Sequence, residues 1–533
     1  MLPPPAIRGL FRTDQRARGA YAEGAGIFRI LPAAVCVPAD REDLASLCHW
    51  AATHRVHLVP RGAGSGMGGG NVGDGVVVDL TGMPRRREID PAARRARTSA
   101  SLTLAELNSA ADPYRLRLPP DPSSGRWATL GGLVSTNASG ARSVRYGSVR
   151  RWVESLELVT ADGEVVELRR GAPPVTAAGP SARAIERFES DAAPAVRAAS
   201  EVIAGRFPRT RKNSSGYALD AFLASGDLLD LVVGSEGTLA LVTAVEWRLD
   251  LLPLHRAGLR VALRSLDGLS DAVAALLTHE PSALELLDRS FLELVGESGS
   301  DAMLLVEFEG DSSDDVRRRV QRAAAAIRPR AAGVNIGLTE AAGERLWALR
   351  HAASPILARL PEDRRSLQVI EDGCVPVERM AEYVRAVRAA AASRGLQVVI
   401  FGHAGDGHVH VNLLPELARA DWEDAVASLL EEVTDTLVRL GGTPSGEHGD
   451  GRLRAGLLPR VYGEEVVALF QRVKRAFDPL GILNPGVILP SGQPAVSRLK
   501  VGAHALALPA DIAHGLREIE QTGGYARSRL ELA

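Results

Sequence analysis

Residues 60–83 read PRGAGSGMGGGNVGDGVVVDLTGM. Gly64, Gly66 and Gly69 satisfy G-x-G-x-x-G, the spelling of a dinucleotide-binding turn. Such a turn must follow a strand and open a helix, whose N-terminus then holds the pyrophosphate. Here the glycines run into Val76-Val77-Val78-Asp79-Leu80, a strand pattern, and no Walker lysine is present. Eight glycines in the fourteen residues 62–75, pinned between that strand and Val56-His57-Leu58-Val59, do not read as a linker. Glycine permits positive φ and lets backbone N–H groups approach an anion. Pro60, Arg61, Gly62, Ala63, Gly64 and Ser65 therefore read as an N–H-lined cradle for a pyrophosphate, outside a Rossmann fold.

Working outward, residues 1–29 read as a loosely structured lead-in. Ala34-Val35-Cys36-Val37 is a short strand, and Asp40 offers an N-cap to a helix carrying Leu44, Leu47, Cys48 and Ala51. A helix at 103–111 leads into the turn-rich segment 118–148. That segment holds Leu118-Pro119-Pro120-Asp121-Pro122-Ser123-Ser124, Thr129-Leu130-Gly131-Gly132 and Asn137-Ala138-Ser139-Gly140. Small-residue turns this close together would let a large flat cofactor lie against the main chain. Asp162-Gly163 between strand-like 156–159 and 165–168 marks a hairpin. Residues 170–190, rich in Ala, Pro and Ser, read as an exposed insertion, and strands are expected near 229–233 and 239–250. Beyond Leu251, strands (258–263, 303–309) alternate with helices (313–328, 378–394, 420–440), the texture of a second α/β domain. A helix at 463–477 precedes Pro479, and the tail from 491 is weakly patterned apart from a helix at 510–521.

The composition is that of a globular chain: 45% hydrophobic, 24% charged, with 63 Lys+Arg against 65 Asp+Glu over 533 residues. So even a charge balance argues against a nucleic-acid binder. Three cysteines without a CxxC pair exclude a disulfide framework, a zinc ribbon and an iron–sulfur cluster. The sequence shows neither a leader pattern nor a membrane-length apolar run, and reads as cytoplasmic.

The chemistry is concentrated further on. Gly402-His403-Ala404-Gly405-Asp406-Gly407 reads as a turn after the strand Gln397–Phe401. His408, His410 and Asn412 then alternate with apolar residues and share one strand face. Gly446-Glu447-His448-Gly449 brackets two more functional side chains between glycines. Two histidines and a carboxylate are a common set for a divalent metal with open positions. A 2-hydroxy acid can chelate such a metal, which lowers its hydroxyl pKa. A neutral imidazole can then take the proton as hydride leaves Cα. A lone strand histidine is more often structural, and His408 is read that way.

In chain order the blocks 60–83, 119–147, Lys212–Tyr217, Val233–Leu239, Phe401–Asn412, Ser445–Arg452 and Phe477–Gly486 resemble the FAD-linked 2-hydroxy-acid dehydrogenases of the vanillyl-alcohol-oxidase fold. These include D-lactate dehydrogenases, the flavin subunit of glycolate oxidase and D-2-hydroxyglutarate dehydrogenase. The resemblance implies an α+β chain: an FAD-binding domain of two subdomains (30–250), an α/β substrate or cap domain with a metal site (251–460), a C-terminal helical segment returning to the FAD (461–490) and a tail (491–533). FAD would be held by 60–66, by Pro119, Asp121, Pro122, Ser123, Ser124, Thr129, Gly131, Gly132, Asn137, Ser139 and Gly140, by Glu236 and Gly237, and by Asn484. The glycine loop has no histidine for a covalent link, so the flavin is expected to be non-covalent. By the same resemblance His403, His410 and Glu447 hold one metal, zinc or manganese, and His448 is the base. Arg350 binds the substrate carboxylate, with Ser354 one helical turn on, and Asn412 lies on the substrate side. The partners implied are a small D-2-hydroxy acid and an electron acceptor: a quinone, an electron-transfer flavoprotein or a separate iron–sulfur protein. A homodimer and a peripheral place at the inner face of the membrane are also compatible. The stretch Val369–Pro376 lacks the lysine with which hydroxyglutarate enzymes grip a distal carboxylate, so a diacid substrate is left open. An oxygen-using oxidase of the same fold and a flavin electron-transfer subunit are the alternative readings.

Overall fold

The computed structural model describes residues 3–176 and 182–533. The glycine-rich segment joins two parallel strands, Leu58–Arg61 and Val76–Asp79. Together with Ala34–Val37 and the antiparallel Leu10–Arg12 they form a four-stranded sheet. Helix Arg41–His54 packs on it through Leu44, Leu47, Cys48 and Ala51, its first turn capped by the Asp40 carboxylate. A parallel pair needs a crossover, and here the glycine loop itself makes that crossing.

The second layer is a six-stranded antiparallel sheet, ordered Val175–Thr176, Val165–Arg169, Val153–Thr160, Ala240–Arg248, Arg95–Ser99 and Arg87–Asp90. Its apolar face packs with helix Leu130–Thr136 and with Glu464–Phe477, a helix returning from far down the chain. Between these elements lies a seven-stranded sheet ordered Gly333–Gly337, His255–Leu263, Ala302–Gly310, Ala283–Asp288, Gln397–Gly402, His408–Leu414 and Gly373–Cys374. Strands and helices alternate in sequence here, yet every strand pair is antiparallel. Helices Leu269–Leu277, Ser313–Ile327, Met380–Ala392 and Trp422–Arg439 cover its apolar face. No helix among the described residues is long and apolar enough to cross a membrane.

The structure departs from the sequence reading in four places. Residues 228–232 form a helix instead of a strand. Leu229, Asp230, Leu231 and Val232 are all buried, and an apolar run buried all round carries no period to tell helix from strand. In the segment read as an exposed insertion, Ile185 and Phe188 are buried, and Phe188 packs its ring against Phe222 and Phe477; residues 177–181 lie outside the described ones. The lead-in is ordered, with strand Leu10–Arg12, helix Gln15–Ala20 and a buried Tyr21, Ile27 and Phe28. The tail is tied down too, beyond the expected helix at 510–521. Phe28 bridges to Leu499, and helix Ala510–Thr522 sets Ile512 against Gly19.

Candidate active site

A cavity of about 840 Å³ runs between the three sheets, and the glycine loop forms one wall. Gly64 and Gly69 adopt φ of +77° and +79°, the left-handed region that favours glycine. A side chain at Gly62 would collide with Thr129, so the absence of one lets the two turns touch. Thr129 caps helix Leu130–Thr136 by accepting from the Gly132 N–H at 3.2 Å. A Cβ at Gly140 would lie 2.7 Å from Pro122 N, which fixes the second turn against the third. The expected cofactor residues 60–66, Asp121, Pro122, Ser123, Ser124, Thr129, Gly131, Gly132, Ser139, Glu236 and Gly237 all line the cavity. Pro119, Asn137, Gly140 and Asn484 do not line it. Asn484, 1% exposed, spends its amide on the Gly70 and Glu236 carbonyls at 2.9 Å each. It braces the wall from behind.

On the seven-stranded sheet, antiparallel pairing sets Phe401 opposite His410. The turn at His403 then folds the two imidazoles together. Their Nε2 atoms lie 3.3 Å apart, and Glu447 Oε1 is 3.2 Å from one and 3.4 Å from the other. The outer nitrogens are fixed. His410 Nδ1 donates to the Glu371 carbonyl at 2.9 Å, and His403 Nδ1 faces the Glu285 carboxylate at 2.6 Å. The second Glu447 oxygen accepts from Lys212 Nζ at 2.9 Å and from Ser139 at 2.8 Å. Burial opposes charge on His403 and Glu447. Even so, Glu285 and Glu447 lift His403 to about 9, and Lys212 and His403 hold Glu447 well below the usual carboxylate range.

His448 stacks on His410, with ring centres 5.3 Å apart. Its Nδ1 donates to Glu371 at 2.6 Å, and Arg454 binds the other Glu371 oxygen. Burial disfavours its charged form, but Glu371 and Asp372 raise it to about 10. Asp372 accepts from the His448 backbone N–H at 2.8 Å and faces His408 Nε2 at 2.8 Å. His408 is fully buried, and burial together with Lys212 and His410 pushes it down to about 3, consistent with a structural part. A side chain at Gly446 would run into the His408 ring at 2.8 Å, so this histidine supports the turn that presents Glu447 and His448.

Arg350 lines the cavity, with its Nε on Glu285 at 2.8 Å and its guanidinium 4.6 Å from the centre of the Phe401 ring. Asn412 also lines it and accepts from Ser366 at 3.2 Å and Gln368 at 3.3 Å. The side chain of Ser354 lies outside the described residues. The sequence reading assigned no role to Lys212, Glu285, Glu371 or Asp372. Lys212 sits inside one of the matched blocks, and Glu371-Asp372 form the acidic pair of the stretch without the lysine. It also gave none to Arg517, Glu520 and Tyr525, which reach the cavity from the tail.

The donor set suits a divalent cation. With its Nδ1–H donated, a neutral His410 presents the Nε2 lone pair inward, toward the Nε2 of His403. Two such nitrogens at this distance with a carboxylate beside them call for a proton or a cation among them. The glycine cradle in turn suits a diphosphate.

Comparison with known proteins places the chain among similar ones. Residues 32–169 match the FAD binding domain, and residues 252–488 match the C-terminal domain of FAD linked oxidases. The chain is 31% identical over 515 residues to D-2-hydroxyglutarate dehydrogenase of Escherichia coli (strain K12), an alignment covering 90% of this chain and 50% of that protein. It thus spans about half the length of that relative. It is 30% identical over 467 residues to D-lactate dehydrogenase of Archaeoglobus fulgidus, covering 85% of this chain and 91% of the other. With the glycolate oxidase subunit GlcD of Bacillus subtilis it shares 28% identity over 470 residues, covering 86% and 89%. The 4-ethylphenol oxidase from Gulosibacter chungangensis superposes with a TM-score of 0.66 at 16% identity, over 90% of this chain and 95% of that one, a likeness of fold.

Proposed function

The chain belongs to the FAD-linked oxidases, and from that premise we propose that it oxidises a small D-2-hydroxy acid, of the lactate, glycolate or 2-hydroxyglutarate class, to the 2-oxo acid. FAD would lie along the cavity from the glycine cradle, held without a covalent link by the loop, which has no histidine. The observation that carries the reading is the convergence of His403 Nε2, His410 Nε2 and Glu447 Oε1 within 3.2–3.4 Å, on three residues that line the same cavity as the cradle. His403, His410 and Glu447 would hold zinc or manganese, which would supply Lewis acidity for the hydroxyl and by repulsion favour neutral His448, while FAD would supply the hydride acceptor.

This chain's own residues do the rest. Glu285 orients two groups at once, His403 through one oxygen and Arg350 through the other. That places the guanidinium for a substrate carboxylate. Asn412 lines the substrate side. His448 donates its Nδ1 proton to Glu371, so its Nε2 is the atom that takes the hydroxyl proton, once the ring is neutral. Electrons then leave for a quinone, an electron-transfer flavoprotein or a separate iron–sulfur protein.

Two variants separate the roles. His410→Ala is expected to lose the metal and weaken substrate binding. His448→Ala is expected to keep metal and flavin but lose about 10²–10⁴ in the rate of anaerobic flavin reduction. Elemental analysis beside stopped-flow reduction reads both. A fully active His448→Ala, or a metal-free wild type indifferent to chelators, refutes this mechanism.

A further inference from the structure

The C-terminal segment is held by the lead-in. Arg29 N–H donates to the Arg498 carbonyl at 2.8 Å, and Lys500 N–H to that of Ile27 at 2.9 Å. Helix Ala510–Thr522 then runs along helix Gln15–Ala20, and the chain ends in a short turn, Arg529–Leu532. This path inserts Arg529 next to Tyr21, Asp79 and Arg61, the arginine of the glycine cradle.

Arg529 is 4% exposed and Arg61 2%. Neither has a carboxylate within ion-pair distance among the described residues. Among the described residues, Nε and Nη1 of Arg529 and Nη2 of Arg61 have no hydrogen-bond partner. Arg61 Nη1 reaches the Asn71 carbonyl, at 3.4 Å. Aromatic rings lie beside both: Tyr525 is 5.5 Å from Arg529, and Tyr21 5.4 Å from Arg61. Asp79 is occupied by Tyr21 at 2.5 Å and by the Thr81 N–H and hydroxyl at 2.9 and 2.6 Å. The contrast with other buried arginines is sharp, since Arg117 bonds Glu309 at 2.8 Å and Arg454 bonds Glu371. Burial lowers both unpaired arginines, and the nearby Arg61 helps bring Arg529 to about 10. Two desolvated like charges thus share one carboxylate, Asp79, whose oxygens are engaged by Tyr21 and Thr81, and a second negative group would complete the compensation. Both arginines line a second cavity, of about 740 Å³, together with Thr81, Ser101 and Thr103. It shares Gly62, Ala63, Trp127 and Thr129 with the main cavity.

We propose that Arg61 and Arg529 form a phosphate-binding subsite at the junction of the two cavities, with Arg529 delivered by the C-terminal segment. The planar fork of a guanidinium suits a phosphate oxygen pair. Two sources offer this chemistry: the diphosphate of FAD in the adjoining cradle, or a free phosphate-bearing ligand in the second cavity. The first rests on the function proposed above, and the second does not. Residues 489–533 lie beyond the matched FAD-linked oxidase domain, so that match does not account for Arg529.

The test is flavin titration of deflavinated full-length protein, read by fluorescence, with FAD and with riboflavin, which has no phosphate. Arg529→Gln is expected to weaken FAD by about tenfold or more and leave riboflavin unchanged. Arg527→Gln, an exposed neighbour lining the same cavity and paired with Glu531, is expected to change neither. If Arg529→Gln keeps its FAD affinity but loses a thermal stabilisation that inorganic phosphate gives the flavin-loaded wild type, the free ligand is the source. Should Arg529→Gln fail to fold, Arg529→Lys keeps the charge without the fork and is expected to show a partial loss of FAD affinity. Wild-type and variant proteins alike in FAD affinity and in their response to phosphate overturn the proposal. A wild type that binds no flavin yet gains phosphate stabilisation through Arg529 would sink the functional reading and leave the subsite standing.

Discussion

Gly451 is where the segment carrying Glu447 and His448 presses on the glycine cradle, and replacing it should disturb both at once. Its φ is +55°, and a Cβ there would fall 2.7 Å from Gly68 Cα and closer still to the Gly68 carbonyl. The same glycine donates its N–H to Glu236 at 3.0 Å, and Leu453 N–H donates to the Gly68 carbonyl at 3.1 Å. Gly451→Ala therefore incurs two costs. A left-handed residue with a Cβ costs roughly 1–2 kcal/mol. Relieving the overlap requires the two backbones to part by on the order of 1 Å, and overpacking of this kind costs about 1–3 kcal/mol. The sum is about 2–5 kcal/mol, and a displacement of that size at the reacting groups can cost roughly 10²-fold in rate. Gly456→Ala, five residues on, is the control: nothing lies within 4 Å of its Cβ position, and it should be neutral or slightly stabilising. Paired thermal melts, flavin content and anaerobic reduction rates read the outcome. A Gly451→Ala protein that melts within about a degree of wild type and keeps its flavin and its rate would show that the two segments are not in the contact described.

Glu520 gives a pH dependence. Burial alone would raise its pKa, but Lys500, Arg365 and Arg517 hold it at about 2. A depressed carboxyl contributes stability that is complete above its unfolded value, near 4.5, and is lost as pH falls through 2. The stability gap between wild type and Glu520→Gln, from urea melts, should therefore be largest above pH 4.5 and close toward pH 2; a constant gap contradicts the assignment. Lys212→Met leaves Glu447 buried without its ammonium partner, a loss of about 3–5 kcal/mol for a buried pair. Because a bound cation would compensate Glu447, the loss should be larger in chelator-treated than in metal-loaded protein, and equal losses count against the metal site.

Legibility followed sequence distance. The crossover through the glycine loop could be read because the loop opens a strand within a dozen residues. The shared face of His408, His410 and Asn412 could be read because a strand repeats every two. The functions within that face could not be separated by period, since all three side chains are buried. His408 turns to Asp372, His410 to the Glu371 carbonyl and Asn412 to Ser366. The supporting carboxylates were illegible for the same reason. Glu285 stands 118 residues from His403, and Lys212 stands 235 from Glu447. No local pattern records such partners. In the tail the helix at 510–521 could be read, but its docking could not, because single bridges and contacts distant in sequence anchor it.

The distribution of partners argues for a site assembled by docking rather than by any one domain. Glu447 is held by Lys212 and Ser139 of the cradle-bearing half and by His403 of the seven-stranded sheet. Glu371 joins that sheet's edge to Arg454 and His448 of the returning chain. Arg142 binds Glu307 through two nitrogens, at 2.7 and 2.8 Å, and Asp121 at 2.5 Å, so the turn that faces the cavity is tied to the same sheet. Each charged group at the centre thus has its compensating charge on a different segment. Removing one partner while the segments stay docked leaves a buried charge without compensation, which costs about 3–5 kcal/mol. The geometry among His403, His410, Glu447 and His448 is accordingly set by ion pairs that span the chain. Substitutions at Arg142, Lys212 or Arg454 should disturb it although none of the three is proposed to bind the metal.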